Sequence, residues 1–171
     1  MRRVSIHIIP LLVAFLLAGC HNDPPVIVTT SDPNKNLKEN MINANRTIAQ
    51  SEQTSINEYV QRRNWPMKQL TNGSRIWEYE TGKGPKVDYE DSVHVVYNIE
   101  SINGKTIYTD VEEHYVAGRR QTLLGLDEAV MQLHRGSKAK IILPSNLAYG
   151  IGGDGDRITR SAILVMDVIV Q

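Results

Sequence analysis

The sequence predicts an α+β domain in which an antiparallel sheet wraps over one short amphipathic helix, behind an N-terminal helical lead-in. Three observations carry this expectation. From Gly73 onward the chain is a succession of β-branched and aromatic segments, "SRIWEYETG", "DSVHVVYNIES", "KTIYTD", "SKAKIILP" and "AILVMDVIV", the texture of strands. Between the second and third stands Asn103-Gly104-Lys105, a strong signal for a tight hairpin. Only "LDEAVMQLHRG" switches to helical period, with Leu126, Ala129, Val130 and Leu133 on one face and Gly136 where the helix ends. Many strands and a single short helix argue for an α+β fold rather than alternating βαβ units.

The first third has a different texture. "MRRVSIHIIPLLVAFLLAGC" begins with Arg2 and Arg3, continues in an apolar run and ends in small residues. This is the plan of a secretory signal, too short to span a bilayer. Leu17-Ala18-Gly19-Cys20 resembles the lipobox of bacterial lipoproteins, in which the signal is removed before the cysteine and the cysteine is acylated. That resemblance makes residues 1–19 a signal peptide and Cys20 the lipidation site. It implies membrane attachment on the periplasmic side or at the cell surface. The alternative is a plain secretory signal with a leftover thiol. Residues 20–34, with Pro24, Pro25 and Pro33, read as an extended tether.

Residues 35–70 read as the helical lead-in. Asp32-Pro33 suits a helix start, and Leu37, Met41, Ala44 and Ile48 recur at helical spacing. Ser55-Ile56-Asn57-Glu58 fits a capping box and predicts a second helix start there. Ile56, Tyr59 and Val60 form a short apolar stripe, and Pro66 stops the helix just after Trp65. So thin a stripe suits docking on the main domain, pairing with another copy as a homodimer, or a partly ordered stalk. Residues 71–171 form the main domain.

Composition excludes several function classes. The chain has 171 residues with 19 basic and 19 acidic side chains, so it carries no electrostatic footprint for nucleic acid. Loss of the signal leaves 17 basic against 19 acidic, a nearly neutral protein. One cysteine permits neither an internal disulfide nor a Cys cluster for zinc. His94, His114 and His134 lie on a strand, a loop and a helix end without a partner at i+4, and Ser137 and Ser161 lack a nucleophile-elbow setting.

Gly150, Gly152 and Gly155 spell G-x-G-x-x-G. A dinucleotide loop of that pattern must open a helix and complete a βαβ unit. Here the loop leads into a strand, only 16 residues remain, and Asp154 and Asp156 would oppose a pyrophosphate. A calcium loop also fails, because no terminal bidentate Glu follows. The two aspartates read instead as an exposed loop tip.

The stretch "LLGLDEAVMQLHRGSKAKIILPSNLAYGIGG", extended by "VHVVYNIESINGKTIY" before it and "SAILVMDVIV" after it, resembles the FKBP family of peptidyl-prolyl isomerases over roughly residues 74–171. With the lipobox, the chain is similar to bacterial membrane-anchored FKBP lipoproteins, including the gliding-motility-associated type. The resemblance implies a half-barrel sheet curled around the helix, and an apolar cup that binds proline and lets the preceding amide twist. It also implies that no metal or cofactor takes part. The expected partners are proline-containing unfolded or extended polypeptides, together with macrolides such as tacrolimus or rapamycin.

Carried over residue by residue, the resemblance makes Tyr97 and Tyr149 the polar wall of the cup, with the Tyr149 hydroxyl directed at the substrate carbonyl. Leu126 stands at the floor where the best-known members have tryptophan. Met166 and Ile107 stand where wall phenylalanines are usual. Leu123 and Ile158 are apolar contacts, Thr122 replaces a valine, and Tyr108 stands where many members have an aspartate. The expected cup is apolar but poorer in aromatic surface and without its nearby carboxylate.

Overall fold

The computed structural model describes residues 33–171; the signal sequence, Cys20, the proposed helix cap at Asp32 and most of the tether lie outside the described residues. The chain divides after Lys38 into two compact units, and the contacts below concern the second, residues 39–171. The elements are α1 (Pro33–Arg63), β1 (Lys68–Gln69), β2 (Arg75–Glu80), β3 (Ser92–Ser101), β4 (Thr106–Val116), α2 (Leu124–Val130), β5 (Lys138–Leu143), a 3-10 turn (Ser145–Leu147) and β6 (Leu164–Val170). Six antiparallel strands form one open sheet in the order β1-β2-β5-β6-β3-β4. This is the expected α+β architecture.

The lead-in is one helix, not two. Residues 33–63 contain no glycine and no proline beyond Pro33, so nothing breaks the ladder at Ser55, and the capping-box pattern lies inside a continuous helix. Thr54 donates its hydroxyl to the Gln50 carbonyl one turn back, the usual way for a mid-helix threonine to satisfy itself. The helix stops at Arg63 because Asn64 takes a left-handed backbone (φ 52°) and the Trp65 amide reaches back to the Val60 carbonyl at 3.3 Å. Asparagine tolerates that conformation, and Pro66 prevents resumption.

The central strands bury residues on both faces, and the period-two alternation of strands decides which side chain goes where. On β6, Leu164, Met166, Val168 and Val170 join the main core with Leu126, Ala129, Val130 and Leu133 around α2. Val165, one residue out of phase, joins Ile142 and Ile163 against Ile56 and Tyr59 of α1. The sheet therefore separates a large core on the α2 side from a smaller one beneath the C-terminal half of α1. Burial of Ile56 and Tyr59, each under 4% exposed, stabilises that docking by roughly 1.5–3 kcal/mol apiece. Polar bolts flank it: Arg75 donates to Asn57 at 2.7 Å, Gln53 to the Gly73 carbonyl at 3.0 Å, and Ser145 to Glu52.

Candidate functional site

Four of the expected site residues converge on one cleft of about 380 Å³, lined by Tyr97 of β3, Val111, Glu112 and Glu113 of β4, Gln121 to Leu123, and Tyr149. Each arrives from a different element. Tyr97 points inward from β3, Thr122 and Leu123 form the entry into α2, and Tyr149 follows the 3-10 turn that ends β5. Leu126 and Met166 are fully buried in the adjoining core, and Ile158 nearly so. They support the cleft from within rather than forming an exposed floor. Ile107 lines a neighbouring depression with Asp156 and Arg157. Tyr108 packs against the same core, but its hydroxyl is engaged by the loop after Tyr149.

The cleft does hold a carboxylate, contrary to the expectation from position 108. The Tyr97 hydroxyl donates to Glu113 Oε2 at 3.0 Å, and the Thr122 hydroxyl donates to the same oxygen at 2.9 Å. A kink in strand register brings Glu113 there. Tyr97 pairs with Val111 and Ile99 with Tyr108, so Thr109 and Asp110 together oppose Asn98 alone. This is a β-bulge, which shifts the alternation of β4 by one residue. Tyr108 and Glu113 are five apart and would face opposite ways on a regular strand; across the bulge both face the α2 side. Asp110 takes a positive φ of 51°, and its amide is satisfied by the Asn98 side chain at 2.8 Å.

Electrostatics fixes the protonation of the two site tyrosines. Burial first, then the negative charge and hydrogen bond of Glu113, push the Tyr97 hydroxyl well above its ordinary value. Burial followed by the charges of Asp154 and Glu113 raises Tyr149 as well. Both remain phenols at neutral pH. Tyr97 spends its proton on Glu113, whereas among the described residues no group takes the Tyr149 hydroxyl hydrogen bond. The Tyr149 phenol is therefore an unspent donor on the cleft wall.

The glycine-rich loop is organised by Asp154, which is not a free exposed tip. Its Oδ1 accepts the amides of Asp156 (2.9 Å) and Ile158 (2.8 Å), and its Oδ2 accepts the Tyr108 hydroxyl at 2.6 Å. The Asp156 carboxylate lies 3.2 Å from the same hydroxyl, and the Arg157 guanidinium lies 5.3 Å from the Tyr108 ring centre. These contacts hold Asp154 below the usual carboxylate range, with the Tyr108 bond as the largest cause, and push Tyr108 up to about 12.

Sequence reading missed Val111, Glu112, Glu113 and Gln121. Gln121 accepts the Val116 amide at 2.9 Å and so closes the turn between β4 and the α2 entry.

The comparisons agree with this fold. A family model described as FKBP-type peptidyl-prolyl cis-trans isomerase matches residues 84–171. The chain is 30% identical over 101 residues to FK506-binding protein 4 of Dictyostelium discoideum, covering 58% of this chain and 28% of that protein. It is 34% identical over 104 residues to the FKBP-type peptidyl-prolyl cis-trans isomerase FkpA of Aeromonas hydrophila, covering 60% of this chain and 38% of that one. The chain thus spans well under two thirds of the length of these curated relatives. The crystal structure of a peptidyl-prolyl cis-trans isomerase from Pseudomonas syringae pv. tomato superposes with a TM-score of 0.61 at 25% identity, over 73% of this chain and 92% of that one. An open antiparallel sheet packed on a short helix defines the fold class. The chain belongs to the FKBP-type peptidyl-prolyl cis-trans isomerase family.

Proposed function

We propose that this protein is a peptidyl-prolyl cis–trans isomerase acting on extended or unfolded polypeptides outside the cytoplasm. The observation that supports this most is the convergence of Tyr97, Thr122, Leu123 and Tyr149 on one cleft against the α2-side core. An Xaa-Pro bond isomerises over roughly tens to hundreds of seconds because rotation breaks amide resonance. A site that seats the proline ring on apolar surface, away from water, disfavours the planar polar amide relative to the twisted one. The Tyr149 phenol, still protonated and unclaimed, donates to the peptide carbonyl and fixes the bound chain. No bond is made or broken, and a 10⁴-fold acceleration needs only about 5.5 kcal/mol of differential stabilisation. Macrolides that mimic a prolyl segment, tacrolimus or rapamycin, would compete for the same cleft.

A protease-coupled assay over peptides varied before proline tests the reading. Acceleration by the purified protein is the expected result, and no acceleration for any peptide ends the enzymatic claim. A second reading, a binding or chaperone module with slow turnover, is favoured by one feature: among the described residues, Tyr97 and Tyr149 are the only aromatic side chains lining the cleft. Tight capture of unfolded chains without rate enhancement would select it.

We also infer that Cys20 carries the lipid that holds the protein to a membrane. The support is the sequence Leu17 to Cys20 behind an apolar run, and several acyl chains give stable anchoring at about 0.8 kcal/mol per buried CH₂. Cys20→Ser should abolish palmitate labelling and release the protein from membranes; retained labelling removes the anchor.

A further inference from the structure

Glu52, alone among the acidic side chains of α1, is buried, at 8% exposure. Both of its oxygens are spent on a single residue: Oε1 accepts the Ser145 hydroxyl at 2.5 Å and Oε2 accepts the Ser145 amide at 2.9 Å. A carboxylate is an acceptor at both ends, so it matches the two donors that Ser145 presents. Among the described residues no cation pairs with it. Burial of a charge for structure alone is costly when apolar packing would serve, so the placement of Ser145 is informative.

Ser145 is the hub of the turn that carries Tyr149. Its carbonyl accepts the Ala148 amide at 3.0 Å and the Gly150 amide at 2.8 Å, the two residues that flank Tyr149. The Gly150 carbonyl in turn accepts the Ser161 amide at 2.9 Å, tying the turn to the far end of the glycine-rich loop. Gly150 can serve there because its φ is +63°, a conformation glycine adopts without penalty. The Tyr149 hydroxyl is free, so its position depends on this backbone rather than on a side-chain partner. A continuous chain of bonds runs from α1 through Glu52 and Ser145 to both peptide flanks of Tyr149.

We propose that Glu52 is a positioning residue for Tyr149, through which the docked lead-in helix sets the geometry of the cleft. This rests on the isomerase reading only as regards rate; the positioning itself is a structural statement with its own readout. The lead-in then does more than separate the domain from its anchor: undocking α1 loosens the tyrosine that meets the substrate.

The test uses the full chain as wild type, Glu52→Ala and Glu52→Gln, followed by amide hydrogen exchange and by Xaa-Pro isomerisation. Glu52→Ala, which removes both hydrogen bonds to Ser145, should speed exchange of the Ala148 and Gly150 amides by about tenfold or more, while amides of β5 and β6 keep their protection. Glu52→Gln should restore slow exchange, because its amide oxygen takes the Ser145 N–H and its NH₂ finds the rotated hydroxyl as an acceptor. In the assay, Glu52→Ala should lower kcat/KM and cost little more in a Tyr149→Phe background. Unchanged exchange at 148 and 150 in a folded Glu52→Ala variant overturns the proposal, as does a rate loss fully additive with Tyr149→Phe. Should Glu52→Ala lose protection throughout β5 and β6, Ser145→Ala, which deletes only the hydroxyl donor, decides by the same exchange criterion. An inactive wild type would refute the isomerase reading and leave the exchange result to decide this one.

Discussion

The Tyr97 hydroxyl and the Glu113 carboxylate meet at 3.0 Å across the β3–β4 pair, and they meet because the bulge at Thr109 and Asp110 shifts the phase of β4. Thr122 shares the same oxygen, so one carboxylate ties β3, β4 and the α2 entry together at the mouth of the cleft. Glu113→Ala would leave the Tyr97 phenol, in a residue only 6% exposed, without its acceptor. The expected loss is about 1–3 kcal/mol, read as a lower urea midpoint with an unchanged slope. Glu113→Gln should cost less, because its amide oxygen still accepts.

The Tyr108–Asp154 bond makes the glycine-rich loop sensitive to both ends of the pH scale. Asp154 has a depressed folded pKa. Its contribution is therefore complete above the ordinary aspartate value and is lost as pH falls through the folded one. Tyr108 is raised from 10.0 to about 12, so its contribution is complete below about pH 10 and disappears as pH rises towards 12. Ultraviolet titration should show one tyrosine shifted back towards its ordinary range in Asp154→Asn. An unaltered titration would mean the bond does not persist in solution.

The glycines of this loop are not equivalent, and the most tightly enclosed one lies outside the G-x-G-x-x-G pattern. A Cβ on Gly153 would sit 2.3 Å from the Ile158 carbonyl oxygen, at a φ of +72°, whereas one on Gly152 meets nothing within 4 Å. Gly153→Ala should destabilise the domain by about 2–4 kcal/mol, and Gly152→Ala should stay within about 0.5 kcal/mol of wild type. Thermal unfolding of the two variants is the comparison to make.

Met166 lies in the core and Tyr149 on the cleft wall, so their substitutions test different things. Met166 is fully buried, so Met166→Ala should cost about 2–5 kcal/mol through the cavity it leaves, and Met166→Leu less than about 1.5 kcal/mol. Tyr149→Phe removes only the free phenol; it should lower kcat/KM with little change in unfolding temperature. If both Met166→Ala and Tyr149→Phe leave the rate unaltered while folded, the site is elsewhere.

The sequence alone determined the antiparallel α+β architecture, the Asn103–Lys105 hairpin, the α2 stripe and the rejection of a nucleotide loop. These follow from periodicity and turn chemistry, which act over a few residues. The apolar stripe of Ile56 and Tyr59 was equally legible, although not what it would meet. Tyr97, Thr122, Leu123 and Tyr149 were named from motif resemblance, and the fold gathers them from distant stretches of chain. Tertiary structure alone decided that the lead-in is one helix and that Glu52 reaches across 93 residues to Ser145. It also decided that Asp154 is a staple and that Glu113 supplies the carboxylate absent from position 108. The physical reason is shared: a single bulge inverts the facing of every later residue on its strand, and a long-range hydrogen bond leaves no local pattern.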